Sequence, residues 1–273
     1  MAKWTIELFG KSLIVVRFTV PLSEKNSISY GLTLDNTEVS NLALDRSPTR
    51  YINYCSSVTN TANSTGCTMN SLTASIGWAI DSRDDILFPK KGELRRANAE
   101  VSTPGLDIQI YKITLQESWY KDITKDLTVM LNGQLGYANS YGGKEFPFFK
   151  NFYLGGVNTV RGYRQGSIGP VCVQGDTSCG LSTSTTNMFV GGNKQVLANA
   201  ELFMPVPFLK NNNQFRLSAF IDAGNVYAYE ESVNLSTLRY SAGMGVMWVS
   251  PFGPLKILYA RPFNNQSTDR TES

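Results

Sequence analysis

The chain has 273 residues, of which 42% are hydrophobic and 17% are charged. This composition excludes a disordered chain and allows one large or two small folded domains. The 25 basic and 22 acidic residues are dispersed, so the net charge of +3 arises without the Lys/Arg block that marks a nucleic-acid surface, and we expect no nucleic acid among the partners.

The chain contains no His, which is the commonest general base and the commonest metal ligand in proteins. Hydrolytic triads and zinc sites that depend on His are therefore excluded. We expect a protein that is not an enzyme and that holds no metal and no cofactor.

Residues 1–17 form an N-terminal segment of uncertain structure. They include Lys3, Lys11 and a short apolar stretch, but they lack the small-residue cleavage site of a secretory signal. The segment holds at most part of a strand. Nowhere does the chain contain the roughly 18 to 20 consecutive apolar residues that a membrane-spanning helix requires.

From about residue 12 onwards, apolar and polar residues alternate with period two in segments of about ten residues, which is a strand pattern. In residues 127–137, Leu127, Val129 and Leu131 share one face, whereas Thr128 and Asn132 share the other. Ten strands are predicted, near residues 12–21, 28–34, 72–80, 93–102, 108–120, 127–137, 195–204, 214–227, 238–248 and 254–263.

The connections between these strands alternate in length. Short ones lie at 21–26, 121–126 and 250–253, and long ones at 36–67 and 138–194. A β-sandwich also alternates along its strands, but short turns on one side and long loops on the other are typical of outer-membrane β-barrels, whose short turns face the periplasm. The pattern favours an all-β, antiparallel transmembrane barrel.

Charged residues follow the rule for such a barrel, because a charge facing hydrocarbon costs several kcal/mol whereas the lumen tolerates it. Arg216, Arg239, Glu201 and Lys256 all fall on the inward parity of their strands. Glu117 breaks the rule, since it shares its face with apolar neighbours. It lies near a membrane interface, or the predicted register of that strand is wrong by one residue.

Four cysteines form two local pairs in polar stretches, Cys55 with Cys67 and Cys172 with Cys179. Neither pair has the two-residue spacing of a zinc knuckle. Two short-range disulfides in an oxidising compartment are the favoured interpretation, and unpaired thiols are the alternative.

A distinctive motif lies in the longest loop, where residues 142–170 read GGKEFPFFKNFYLGGVNTVRGYRQGSIGP. Val160, Arg161, Gly162 and Tyr163 with these flanks resemble the VRG(F/Y) motif in the sixth outer loop of the BamA-type outer-membrane assembly factors. That superfamily also includes TamA and the two-partner secretion transporters. FIDAGNVY at 220–227 and the hairpin at 243–264 resemble the same family, and the IGP ending of the loop motif favours the BamA-type branch.

The resemblance implies a barrel of sixteen strands of which this chain supplies about ten. Residues 18–273 would be a partial barrel with the long outer loop 138–194, preceded by the uncertain segment 1–17. Family members also carry periplasmic POTRA domains and a terminal aromatic strand, so we expect the chain to be a fragment, inactive without the missing parts.

In the family the sixth loop folds into the lumen, and its Arg contacts acids of the wall. Carried over, Arg161 would pair with Glu201 and Asp222. The resemblance also implies that all four cysteines lie in outer loops. The alternative for the motif itself is a simple loop turn in which Gly162 supplies an unusual backbone angle.

The resemblance further implies a bacterial outer-membrane factor that folds and inserts other outer-membrane proteins. Its partners would be the lipid of that membrane, unfolded outer-membrane protein clients and accessory lipoproteins, the last through the missing parts. The alternative within the superfamily is a two-partner secretion or TamA-like transporter barrel. A barrel enzyme lacks its general base here, and a passive porin conflicts with a loop folded into the pore.

Overall fold

The structure is a computed structural model that describes residues 3–9, 13–177, 179, 181, 187–206 and 214–272. Residues 1–2 and 10–12 of the N-terminal segment, parts of the long loop (178, 180 and 182–186), residues 207–213 and residue 273 lie outside the described part. Side chains of the first strand are likewise not described.

Eleven strands form one antiparallel sheet in which each strand pairs with the sheet strands before and after it along the chain, and two short strands of the long loop are not part of this sheet. They are β1 (Lys3–Phe9), β2 (Leu13–Pro21), β3 (Asn26–Val39), β4 (Cys67–Asp81), β5 (Gly92–Ser102), β6 (Ile110–Asp122), β7 (Thr128–Ser140), β10 (Lys194–Met204), β11 (Phe215–Tyr227), β12 (Arg239–Ser250) and β13 (Gly253–Phe263). Two short strands, β8 (Val171–Cys172) and β9 (Met188–Phe189), pair separately in the long loop between β7 and β10.

The predicted antiparallel barrel wall is confirmed, and so is its incompleteness. All ten predicted strands are present, and the eleventh, β1, lies within residues 1–17. The strands from β2 to β13 in the sheet have 9 to 15 residues, enough for the roughly 9 to 11 that a tilted strand needs to cross a membrane. The sheet is open, with β1 and β13 as its two edges in the described residues.

The two faces of the sheet differ as the period-two pattern requires. On β6, Ile113 and Leu115 are exposed on the outer face, together with Glu117. The register pairs Glu117 with Arg95 of β5, and their side chains form an ion pair of 3.0 Å. The predicted strand register is therefore right, and Glu117 lies on the outer face with an outward-facing partner.

One helix departs from the all-β expectation. α1 (Thr49–Thr59) lies in the loop between β3 and β4 and ends at Asn60, which adopts the left-handed conformation with φ of +53°. The ring of Tyr51 in α1 stacks on the ring of Phe148 in the long loop, with the two ring centroids 3.8 Å apart. Packing between these two outer loops therefore stabilises a helix that the polar sequence of the segment does not predict. Among the described residues, no helix is long and apolar enough to cross a membrane.

Candidate functional site: the lumenal tip of the long loop

The segment between β7 and β10 runs along the inner face of the sheet, and its residues 160–163 form the tip that contacts the wall. Val160 is fully buried in an apolar cluster that joins loop residues to the inward side chains of the strands. Its members are Ala138, Phe152, Leu154, Val160, Tyr163, Ile168, Leu197 and Val226. This cluster holds the segment on both sides of the tip against β7, β10 and β11.

Arg161 lies between two inward-facing carboxylates of neighbouring strands. Its Nε and Nη2 donate to the two oxygens of Asp222 at 2.7 and 2.6 Å, and its Nη1 donates to Glu201 Oε2 at 2.9 Å. The backbone N–H of Arg161 also donates to Asp222 Oδ2 at 3.0 Å. The structure thus brings together the three residues that the family resemblance named, through a bidentate bond that only a guanidinium can make.

All three side chains are removed from solvent. Arg161 and Glu201 are each 4% exposed, and Asp222 is 0% exposed. The guanidinium carbon also lies 3.4 Å from the ring centroid of Phe220, a cation–π contact that covers one of its faces. Burial lowers the pKa of Arg161, but the hydrogen bonds and negative charges of Asp222 and Glu201 outweigh that effect and raise the pKa, so the guanidinium stays charged.

Asn199 and Lys256 complete the surroundings of the two carboxylates. Asn199 Nδ2 donates to Asp222 Oδ1 at 2.8 Å and to the carbonyl of Thr159 at 2.8 Å, which couples wall and loop through one amide. The remaining oxygen of Glu201 lies 3.7 Å from Lys256 Nζ, a distance that gives an ion pair but no hydrogen bond. Two cations therefore face the two carboxylates, as a buried charge cluster requires.

Gly162 and Tyr163 attach the tip to the last two strands. Gly162 has φ of +83°, and a Cβ at this position would approach the Ala260 side chain to 3.2 Å. The Tyr163 hydroxyl lies 3.1 Å from the carbonyl of Phe263 and 3.3 Å from that of Tyr240, so its proton is shared between β12 and β13. Burial, followed by the charge of Asp269, raises the pKa of Tyr163 to about 12, so the hydroxyl remains a donor.

Sequence reasoning missed a second buried ion pair beside the tip. Arg239 Nε lies 3.0 Å from Asp269 Oδ2, and both side chains are almost fully buried. The segment that carries Asp269 then pairs with the loop, because the N–H of Glu272 donates to the carbonyl of Gly162 at 2.8 Å. The inward parity of Arg239 was the available signal, but nothing local in the sequence pointed to Asp269.

The cysteines lie in the outer loops and are joined as two disulfides. Cys55 of α1 is linked to Cys67 at the start of β4, and Cys172 is linked to Cys179 in the long loop. The N–H of Thr49 donates to the carbonyl of Cys179 at 2.9 Å, so the two disulfide-bearing loops contact each other.

The contacts of the loop tip, residues 160–163, with the wall form what we call the clamp. The tip bonds to side chains of β10 and β11 and to backbone carbonyls of β12 and β13, so four consecutive strands share one set of contacts with the loop. Such contacts oppose relative movement of these strands and keep the loop in the lumen.

Sequence comparison finds relatives that match most of this chain. BamA of Neisseria meningitidis serogroup B is 33% identical over 283 aligned residues, which cover 94% of this chain and 34% of that protein. The human sorting and assembly machinery component 50 homolog is 27% identical over 217 residues, covering 74% of this chain and 44% of that protein. The chain thus spans between about a third and a half of the length of these relatives.

A solved structure shows the same fold. The crystal structure of BamA from Haemophilus ducreyi lacking POTRA domains 1–3 matches 95% of this chain and 52% of that chain, with a TM-score of 0.83 and 27% identity. The predicted resemblance and the bacterial outer-membrane location are confirmed by these matches. Because the sequence profile described as the Omp85 superfamily domain also matches residues 10–273, the chain belongs to the Omp85 superfamily.

Proposed function

We propose that the protein to which this chain contributes its barrel wall folds and inserts other outer-membrane proteins. The observation that carries the proposal is the buried contact of Arg161 with Glu201 and Asp222, in a wall whose relatives are named as assembly factors. Its clients are unfolded outer-membrane proteins, and its other partners are the membrane lipid and the accessory lipoproteins of an assembly complex. The work involves no covalent chemistry.

The proposed function requires one part of the barrel wall to stay rigid while another part opens. The loop tip connects β10 to β13, so these strands move together. Clients enter a membrane as strands, and each unpaired backbone group in hydrocarbon costs several kcal/mol. A barrel whose open strand edge forms backbone hydrogen bonds with a client strand therefore lowers the free-energy barrier to insertion of that strand. This requires the rest of the barrel wall to stay intact while two neighbouring strands separate.

The superfamily alternative is a two-partner secretion or TamA-like transporter, which moves its client through the lumen. The VRGY motif does not separate the two functions, but the flanking FPFFKNFY and IGP stretches and the 33% identity to BamA of Neisseria meningitidis favour assembly over secretion. Secretion of a client into the medium, with no effect on membrane-protein levels, is the result that would favour the transporter.

The test is a chimera, since the chain covers 34% of the Neisseria meningitidis BamA. Residues 10–273 replace the matching barrel segment of that BamA in a strain whose own copy can be depleted. We expect the chimera to restore the level of folded porin, measured by its heat-dependent shift on gels. The folded state of the chimera is measured in the same way.

The chain offers a matched pair of variants in that chimera. Arg161→Met removes the clamp, whereas Arg164→Met changes an exposed arginine three positions away whose ion pair with Glu272 spans 4.0 Å. We expect porin assembly to fall in the first variant and to stay normal in the second. A chimera that is folded at normal level and yet restores no porin would contradict the proposal.

A further inference from the structure

Four segments of the outer loops meet around a cavity of about 530 Å³ on the side of the long loops, which is the extracellular side. They are α1, the stretch that follows β7, the end of the long loop just before β10, and the loop between β11 and β12. This volume lies within the roughly 300 to 1,000 Å³ of ordinary small-molecule sites. The cavity is separate from the clamp around Arg161.

The inner wall of the cavity contains a buried acceptor without a donor. Asn193 is 3% exposed, and its Nδ2 donates to the carbonyl of Ala138 at 2.9 Å, which fixes the orientation of the amide. Its Oδ1 receives no hydrogen bond within the described residues. Burial of such an acceptor without a partner is unfavourable, and a hydroxyl of a bound ligand would relieve it.

The rim carries balanced charges. Arg50 and Lys144 are cationic, Glu145 and Glu230 are anionic, and none of the four forms an ion pair in the part of the chain that the structure describes. A phosphate or nucleotide site would have a surplus of cations, and a metal site would have a surplus of carboxylates. Two charges of each sign favour a neutral ligand that both donates and accepts hydrogen bonds.

The remaining lining adds amides and aromatic faces. Asn53 and Asn151 supply further donors and acceptors, and Tyr229, which is 47% exposed, offers a ring at the rim. A ring that carries hydroxyls at its edge and C–H groups on its face fits this combination. We propose that the cavity binds a sugar unit, either of a membrane-anchored glycolipid or of a free oligosaccharide.

The test measures binding by the detergent-purified full-length protein that contains this chain. One probe is an uncharged oligosaccharide of hexose units, titrated by calorimetry, and the other is an uncharged glycolipid that carries the same oligosaccharide, placed in nanodiscs. Binding of both probes identifies the sugar as sufficient, and binding of the glycolipid alone identifies the membrane-anchored source. Saturable binding of either probe is the expected result.

Variants place the binding in the cavity. Arg50→Gln should weaken binding by about tenfold or more, the loss typical of a hydrogen bond to a charged group, and Tyr229→Ala by about two- to tenfold, the loss typical of an aromatic contact. Arg46→Gln is the matched control, because Arg46 lies in the same outer loop, is exposed, and forms its ion pair with its sequence neighbour Asp45 on the surface. It should leave binding within about twofold.

Two results would overturn the proposal. The first is that neither probe binds saturably to the unsubstituted protein. The other is an equal loss in the Arg46 and Arg50 variants, since the sugar would then contact the basic surface and not the cavity. Neither result bears on membrane-protein assembly, which depends on the clamp.

Discussion

Replacement of Arg161 by methionine tests the clamp most directly, because methionine keeps much of the length of the side chain and removes its charge. Three side-chain hydrogen bonds and the cation–π contact with Phe220 disappear, and two buried carboxylates lose their main partner. Removing one member of a buried ion pair costs about 3 to 5 kcal/mol. We therefore expect the loop tip to leave the wall far more often.

The opening of the tip can be measured through a buried reporter. Val160 is fully buried beside Arg161, so Val160→Cys gives a thiol that a water-soluble maleimide reaches only when the tip is undocked. Since about 1.4 kcal/mol corresponds to a factor of ten, a cost of about 3 to 5 kcal/mol means that Arg161→Met should accelerate labelling by about 10²- to 4 × 10³-fold. Arg161→Lys keeps the charge but loses the bidentate bond, and should give an intermediate rate.

The control and the refuting result use the same reporter. Arg164→Met removes an exposed guanidinium from the same loop and should change the labelling rate by less than about threefold. The reasoning is refuted if Arg161→Met changes labelling no more than this control does. A double change with Asp222→Asn should cost less than the sum of the two single changes, because the two residues share their bonds.

Three further predictions concern other parts of the molecule. Gly162→Ala should weaken docking of the loop tip by about 1 to 2 kcal/mol, because alanine is strained at positive φ, and the maleimide assay would register this as faster labelling. Replacing Cys55 and Cys67 by serine should destabilise α1 by about 2 to 3 kcal/mol, and limited proteolysis of intact cells should then cleave the helix, whereas unchanged protection would contradict this role. Arg95→Met should lower the free energy of unfolding of the barrel by no more than about 1 kcal/mol, because the ion pairs of Arg95 with Glu93 and Glu117 are both partly exposed; a loss of about 2 to 4 kcal/mol would contradict this and place the pair with Glu117 in hydrocarbon.

The sequence by itself determined the strands and their faces. A membrane wall requires one apolar face and one polar face on every strand, so the period-two pattern is strong enough to reveal ten strands and the inward direction of residues such as Glu201 and Arg239. The VRGY motif and its flanks identified the loop. Likeness to the family then named Glu201 and Asp222 as the acids for Arg161, which composition and periodicity alone could not do.

The tertiary structure decided the contacts that join distant segments. Asn199 links Asp222 to the carbonyl of Thr159, and Tyr163 reaches the carbonyl of Phe263, 100 positions away. No local pattern specifies such pairs, because a side chain's partners depend on how the loop folds back over the sheet. The same holds for α1, a short polar helix whose stability comes from a disulfide and from packing on Phe148, since isolated helices of its length are marginal in water.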